Sequence, residues 1–364
     1  MKLKKILFIT ALLFIAFATS SGIYAYSQIN KIKNVKISKT DEDLGINIKP
    51  ESIDMEPEDK IVRVTEENPK EQKPEIINQQ SILNEYDTSI NNQIRSIALF
   101  GIDTGRDKYD VPHSDSIIIA TIDPQNKKIK LSSIMRDTYV RIKGHGSSKL
   151  SDAYAFGGPQ LALRTLNENF GLNIRDYATV DFFTLEKAID VLGGVTVDIK
   201  ANELKELNFR VEEAANLQKK APVLIKQSGT QNLNGIQAVA YCRIRKIGGG
   251  DFERTSRQRI VLTQLINKAQ ASGVVKYHSL ASEIFPLIET SLSNSDILKL
   301  GTQIISTGIT NVEQQRFPLD GYCKGEIIKG VWYLVPRPGI EATKEHIRNY
   351  IFKDVTPHSK APLF

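Results

Sequence analysis

The sequence predicts an α/β fold: one domain of about 260 residues, preceded by a polar stretch and an apolar N-terminal segment. Three observations carry this. From Ile94 onward, short apolar runs that read as strands alternate with runs of helical spacing. The first three runs, RSIALFGID, SDSIIIATID and KIKLSSIMRD, follow one another with only turns and loops between. Ahead of them, the chain from about Ser27 to Asn92 has no sustained apolar period.

At the N-terminus, Lys2, Lys4 and Lys5 precede an apolar run from Ile6 to about Ala25. About 20 such residues suffice to span a bilayer. Positive charge before the span predicts a cytoplasmic N-terminus, with everything after it outside. A cleaved signal peptide would have a shorter apolar core and a small-x-small cleavage site. The sequence around Ile23-Tyr24-Ala25-Tyr26 is a poor one, so an uncleaved anchor is expected. The predicted organisation is a stub over 1–5, a transmembrane anchor over 6–26, an acidic disordered linker over 27–92, a domain over 93–355 and a tail over 356–364. Beside an anionic membrane an acidic linker would be repelled and would extend the reach of the domain.

Within the domain, Asp123-Pro124-Gln125-Asn126 is a turn that folds the second strand back onto the third. A glycine-rich loop, Gly144 to Ser148, follows. Gly157-Gly158-Pro159 opens a helix, since proline suits a first turn; Leu161, Leu163, Leu166 and Phe170 form its buried side, with Tyr154 and Phe156 also read as core. Tyr177 to Asp181 reads as a strand, Phe182 to Leu192 as a helix ended by Gly193-Gly194, and Val195 to Ile199 as a strand. A charged helix spans Asn202 to Lys220, and Asn234-Gly235 opens another to about Tyr241. The longest helix starts at Asp251, a good N-cap, and runs to about Ala271. The last unit holds a helix from Asn294 to Ile305, strands around Gln315 and from Val331 to Pro336, and a closing helix from Glu341 to Phe352. There is no internal repeat.

Hydrophobic content of 41% and charged content of 25% are those of an ordinary globular protein. The net charge of +6 would suit a nucleic-acid partner, but its distribution does not. The first 40 residues carry seven lysines and no acid, and the stretch from Asp41 to Asn92 is strongly acidic. The remainder has no basic run and no nucleic-acid motif, so no nucleic acid is expected. Cys242 and Cys323 fit an exported chain without a disulfide framework, and sequence alone does not say whether they pair. The five histidines show no zinc-ligand spacing.

Chemistry concentrates at two places. Antiparallel pairing sets the end of the third strand beside the start of the second, so Arg136 should lie near Asp115. If the first strand is antiparallel to the second, Asp103 joins them. Two carboxylates facing an arginine suit a divalent metal bound together with a phosphate ester. The second place is YCRIRKIGGGDFERTSRQR, which holds Arg243, Arg245, Arg254, Arg257 and Arg259. Arg254, Arg257 and Gln258 share a helix face in the first turns, where unpaired backbone N–H groups favour an anion. Arginine offers phosphate a planar, bidentate contact. Ile260, Leu262, Leu265 and Ile266 form the opposite, buried face. The plain alternatives are turn chemistry for each aspartate and a solvated helix end for the arginines. His113 and Ser114 are adjacent, but no third group completes a triad with them.

Taken in order, GIDTGRD, SDSIIIATIDP, SSIMRDTYV, KLSDAYAFGGPQLAL, VDFFTLEKAIDVLGGVTVDI, LNGIQAVAYCRIRK and GGGDFERTSRQR resemble the successive motifs of the LytR–CpsA–Psr family. The resemblance runs continuously from about Ile94 to Ala271. It implies a three-layer α/β/α fold, a central mixed sheet with helices on both sides, and an apolar pocket for a lipid tail. It also implies an enzyme, of phosphotransferase type, outside the cell membrane of a Gram-positive type of bacterium. Such an enzyme moves a glycopolymer, for example wall teichoic acid or capsular polysaccharide, from a polyprenyl-pyrophosphate carrier to peptidoglycan through a phosphodiester. By the same resemblance, Asp103 and Asp115 hold Mg²⁺, and Arg136, Arg243, Arg245, Arg254 and Arg257 surround the pyrophosphate, with Arg106, Lys149 and Gln258 as further candidates. Arg136 is the expected transition-state group and Asp103 the candidate base. The family often has arginine where His113 stands, Asp-x-Arg where Thr104 and Gly105 separate Asp103 from Arg106, and asparagine where Ser151 precedes Asp152.

Two other functions remain open at this level. A pyrophosphate hydrolase on the same lipid would use the same metal and arginines with water as nucleophile. A membrane-anchored regulator or attenuator would depend on neither aspartate.

Overall fold

A computed structural model describes residues 27–46, 94–103, 111–272 and 274–363. The anchor expected at 6–26 lies outside these residues. Among the described residues, no helix is long and apolar enough to cross a membrane.

The first two long strands, β2 (Arg95–Ile102) and β3 (Ser114–Asp123), pair antiparallel, and β3 pairs antiparallel with β4 (Lys128–Ile134). The β3–β4 turn is held by the Asp123 carboxylate, which accepts from the Asn126 amide at 3.0 Å and from Asn126 Nδ2 at 2.9 Å. β7 (Asp176–Asp181) lies parallel to β2 on its other side. Asp181 ends that strand and caps the helix α2 (Phe182–Val191), accepting from the Thr184 amide at 2.8 Å. With β1 (Lys33–Asn34), β10 (Glu289–Thr290) and β11 (Asn311–Phe317), these make a seven-stranded mixed sheet in the order β1-β10-β7-β2-β3-β4-β11.

Period-two alternation sends neighbouring residues to opposite faces. Ala98, Phe100, Ile117 and Ile119 pack on one face against α1 (Asp152–Phe170) and α8 (Ile340–Lys353). Ile97, Ile118, Ile122 and Leu131 pack on the other against α7 (Asn294–Thr307) and α5 (Asp251–Ala271). Helices on both faces bear out the layered fold. A second apolar cluster joins α2, the hairpin of β8 (Val195–Ile199) and β9 (Gly229–Leu233), α3 (Leu204–Leu217) and α4 (Gly235–Cys242) to the other side of α5. Thus α5 is a spine, with Leu262 and Ile266 on the sheet and Ile260 and Leu265 on the second cluster.

The structure departs from the sequence reading in several places. Residues 27–46 are not a linker. Lys33 and Asn34 extend the sheet beside β10, and Leu44 and Ile46 enter the core at 0% and 4% exposure. Their apolar side chains are too widely spaced in a polar stretch to show a period. The glycine-rich loop is instead the return strand of a hairpin, β5 (Tyr139–Ile142) with β6 (Gly146–Lys149). Helix α1 begins before the glycines, which kink it; Gly158 has φ 62°, a left-handed conformation that glycine tolerates. Gly250, not Asp251, precedes the first residue of α5. Phe156, read as core, is 47% exposed and stacks on His145. Cys242 and Cys323 are both buried and unpaired.

Candidate functional site

Three strand ends meet at one end of the sheet. Continuing the β3–β4 register past Ile118↔Ser133 sets Asp115 opposite Arg136. The two side chains form a direct ion pair, each less than one-fifth exposed. A register shift between Gly101 and Ile102 bends the end of β2, and Asp103 follows the position paired with Ser114. The sequence therefore brought the right three strand ends together. Arg106 lies in 104–110, outside the described residues.

From the opposite side, the first turn of α5 delivers Arg254. Its Nη2 donates to the Asp115 carbonyl at 3.2 Å, and its Nη1 is 4.0 Å from the Asp115 carboxylate. The same guanidinium pairs with Asp251 at 2.8 Å, and Arg245 reaches that carboxylate at 2.9 Å. Past Arg136, Asp137 stands 3.8 Å from Arg136 Nε and 2.7 Å from Lys149 Nζ. Cations and carboxylates thus alternate across the edge: Lys149, Asp137, Arg136, Asp115, Arg254, Asp251, Arg245. Asp137 and Asp251 were not expected as partners; their adjacency to Arg136 and their place between Arg245 and Arg254 were the available signals.

Arg254 is 3% exposed. Burial, and then the neighbouring Arg245 and Arg136, push its pKa down to about 10, with Asp251 opposing the shift. It therefore stays cationic at neutral pH, at a desolvation cost that a bound anion would relieve. Arg254 Nε, Arg136 Nε and Asp251 Oδ2 are buried without a hydrogen-bond partner. Buried polar atoms are seldom left so unless a ligand, ion or water meets them.

The other predicted anion ligands divide. Arg243, at the end of α4, lies over the Phe182 ring at 5.4 Å and 3.7 Å from Glu213, at the same end of the sheet. Gln258 is half-buried one turn further along α5. Arg257 faces elsewhere. It is 2% exposed, donates to Glu203 from Nε at 2.9 Å, to Glu253 from Nη2 at 2.6 Å and to the Ile244 carbonyl from Nη1 at 3.1 Å, with Nη2 also 2.8 Å from the Glu203 carboxylate. Its donors are committed to protein, so the geometry makes it a brace between α5 and the α3–α4 region. The shared helix face placed it with Arg254; the sequence did not disclose Glu203, 54 residues away. His113 Nδ1 lies 3.2 Å from Asp152, which also accepts from Ser148 Oγ at 2.5 Å.

Among the described residues no cluster of three or more acidic, His or Cys side chains could cage a metal. Asp103 and Asp115 offer hard oxygen at neighbouring strand ends. That fits Mg²⁺, which binds through one or two carboxylates and takes the rest from water and substrate phosphate. Phosphate oxygens could meet the unpartnered guanidinium N–H groups beside it.

A model of the LytR_cpsA_psr family matches residues 55–349. The chain is 33% identical over 210 residues to the regulatory protein MsrR of Staphylococcus aureus (strain COL), an alignment covering 57% of this chain and 59% of that one. It is 32% identical over 231 residues to TagV of Bacillus subtilis (strain 168), named a polyisoprenyl-teichoic acid–peptidoglycan teichoic acid transferase, covering 62% and 56%. The chain thus spans about three fifths of the length of these curated relatives. Among solved structures, TagT bound to LI-WTA superposes with a TM-score of 0.57 at 26% identity, covering 73% of this chain and 93% of that one. TagT with bound octaprenyl pyrophosphate lipid gives 0.53 at 25% identity over the same shares.

Proposed function

The chain belongs to the LytR–CpsA–Psr family, and from that premise we propose that it transfers a glycopolymer from a polyprenyl-pyrophosphate carrier to peptidoglycan at the membrane surface. The observation that carries this is the alternating edge of Lys149, Asp137, Arg136, Asp115 and Arg254, with unpartnered guanidinium nitrogens on Arg136 and Arg254. A pyrophosphate diester brings two negative charges, which matches several arginines better than a single phosphate would. The relatives named for teichoic acid transfer, and the solved relative holding a polyprenyl pyrophosphate, support the same substrate class.

In this reading Arg136 and Arg254 bind the two phosphates and stabilise charge building on the leaving lipid phosphate. Arg245 and Lys149 add to the field, and Arg243 flanks it. Asp137 and Asp251 hold these cations in place. Asp103 and Asp115 would hold Mg²⁺, which when bound supplies Lewis-acid neutralisation of the pyrophosphate. Asp103 is the group assigned to take the proton from the attacking sugar hydroxyl. The sugar oxygen then bonds to the phosphorus that carries the polymer, and polyprenyl phosphate leaves with the bridging oxygen.

Transfer is measured with the full chain in lipid vesicles, a lipid-linked donor and peptidoglycan. Arg136→Ala should lower it by about 10²–10³-fold, the usual cost of losing one charge-stabilising donor, with the domain still folded by circular dichroism. Near-normal transfer by that variant defeats the reading. Chelation of divalent ions should stop transfer, and Mg²⁺ should restore it. The staphylococcal relative, a regulatory protein by name, favours a second reading, a regulator. A chain that retains every cellular phenotype with both Asp103→Ala and Asp115→Ala would support it. Release of free phosphorylated polymer, rather than wall-attached polymer, would instead mark a hydrolase.

A further inference from the structure

The packed segment at 27–46 sets the direction of the domain. β10 runs antiparallel to β7, and β1 runs parallel to β10, so β1 runs antiparallel to β7 and β2. Lys33 is level with Glu289 and Thr179, two residues from Asp181 at the strand end. Residues before Lys33 therefore lie toward the end of the sheet that carries Asp103, Asp115 and Arg136. The chain leaves the apolar run of residues 6–25 and, within a few residues, is at this end. Ile29 and Ile32 are buried, so the entry is fixed to the fold. From there the segment descends the sheet edge, where Lys39 pairs with Asp176 at the far end of β7, and Leu44 and Ile46 lock into the core. Three strand spacings separate β1 from β2, roughly 14 Å.

Other groups at the same end suit a lipid surface. Phe183, just past β7, is 47% exposed with Lys187 Nζ 4.7 Å above its ring, and Val111, just before β3, is 58% exposed. Lys31, which precedes β1, is exposed on the segment itself. Exposed apolar side chains beside lysines are the composition of an interfacial face, where stems and rings enter the headgroup layer and charges meet anionic lipid.

We propose that residues 27–46 are a strap that seats the domain on an anionic lipid surface, with the carboxylate–arginine end of the sheet facing the lipid. The acidic stretch then does not lengthen a tether, because both of its ends return to the folded domain. The inference rests on residues 6–26 being a membrane anchor and shares that premise with the proposed function.

The test reads orientation rather than chemistry. Full-length chains carrying Phe183→Cys, Lys187→Cys or Gln125→Cys are labelled with a fluorophore in vesicles containing phosphatidylglycerol. Cys242 and Cys323 are buried, and the unmodified chain measures any background. Gln125 sits exposed in the β3–β4 turn at the opposite end. A headgroup-attached nitroxide should quench the labels at 183 and 187 at least threefold more than the label at 125. In a Leu44→Asp chain, which releases the strap, that difference should shrink. Equal quenching at the two ends, including none at either, or stronger quenching at 125, overturns the proposal. No transfer by the unmodified chain, with the quenching difference intact, would sink the catalytic reading and leave this one standing.

Discussion

At the scale of the residue, the arginines with similar sequence credentials have different work. Arg254 and Arg257 lie three apart on one helix, yet Arg254 turns to Asp115 and Arg257 to Glu203. Removing one partner of a buried ion pair leaves the other charge unpaired, at about 3–5 kcal/mol. Arg257→Ala should therefore lower the unfolding free energy by that amount, and Glu203→Gln should do much of the same, as read by urea denaturation. Any loss of transfer in these variants should follow the fraction unfolded. Arg245→Ala, at a side chain 47% exposed, should leave stability within about 0.5 kcal/mol and raise the donor KM. The sequence disclosed the strand-end trio because antiparallel pairing is a short-range geometry. It could not separate the two arginines, since the carboxylate that claims Arg257 comes from a distant helix.

At the scale of the element, the β3–β4 hairpin carries both the site and a pH dependence. Lys130, an apparent surface residue in an alternating strand, is fully buried, 2.8 Å from Asp123 and 3.0 Å from Asp354. Burial by itself would raise the Asp123 carboxyl. Hydrogen bonds from Asn126 and Lys130 outweigh it and hold the pKa below the ordinary 3.8. Asp354 is lowered likewise, its burial outweighed by hydrogen bonds from Lys128 and Lys130. A depressed carboxyl contributes its full stability above the unfolded value and loses it as pH falls through the folded one. Thermal stability should thus hold down to about pH 4 and decline below it, and Asp123→Asn should flatten that decline. The strap is the element that the sequence concealed: two β residues and a few spaced apolar side chains give no period. Leu44→Ala should cost about 2–5 kcal/mol, the range for an emptied leucine site, a price that a true linker would not show. The main helices and strands were legible because their apolar periods persist for two turns or more. Hairpins such as β5–β6 and β8–β9 were masked by glycine and polar residues in one strand.

At the scale of the whole molecule, residues 47–93 join Ile46 to Ile94, and both flanking segments belong to one fold. Closing such a connection costs entropy only as the logarithm of its length, about 0.6 kcal/mol per doubling. Deleting residues 55–85 should therefore shift stability by about 1 kcal/mol or less and leave transfer intact in the vesicle assay. A marked loss of activity would assign the acidic stretch a role of its own. The same topology bears on what a protease could do. A cut before Ser27 would part the described fold from the apolar run at residues 6–25. A cut inside 47–93 would produce a two-chain protein whose halves stay joined through β1, Leu44 and Ile46. Such a nick would be invisible to native gels and plain under denaturing ones, and the fold would remain whole.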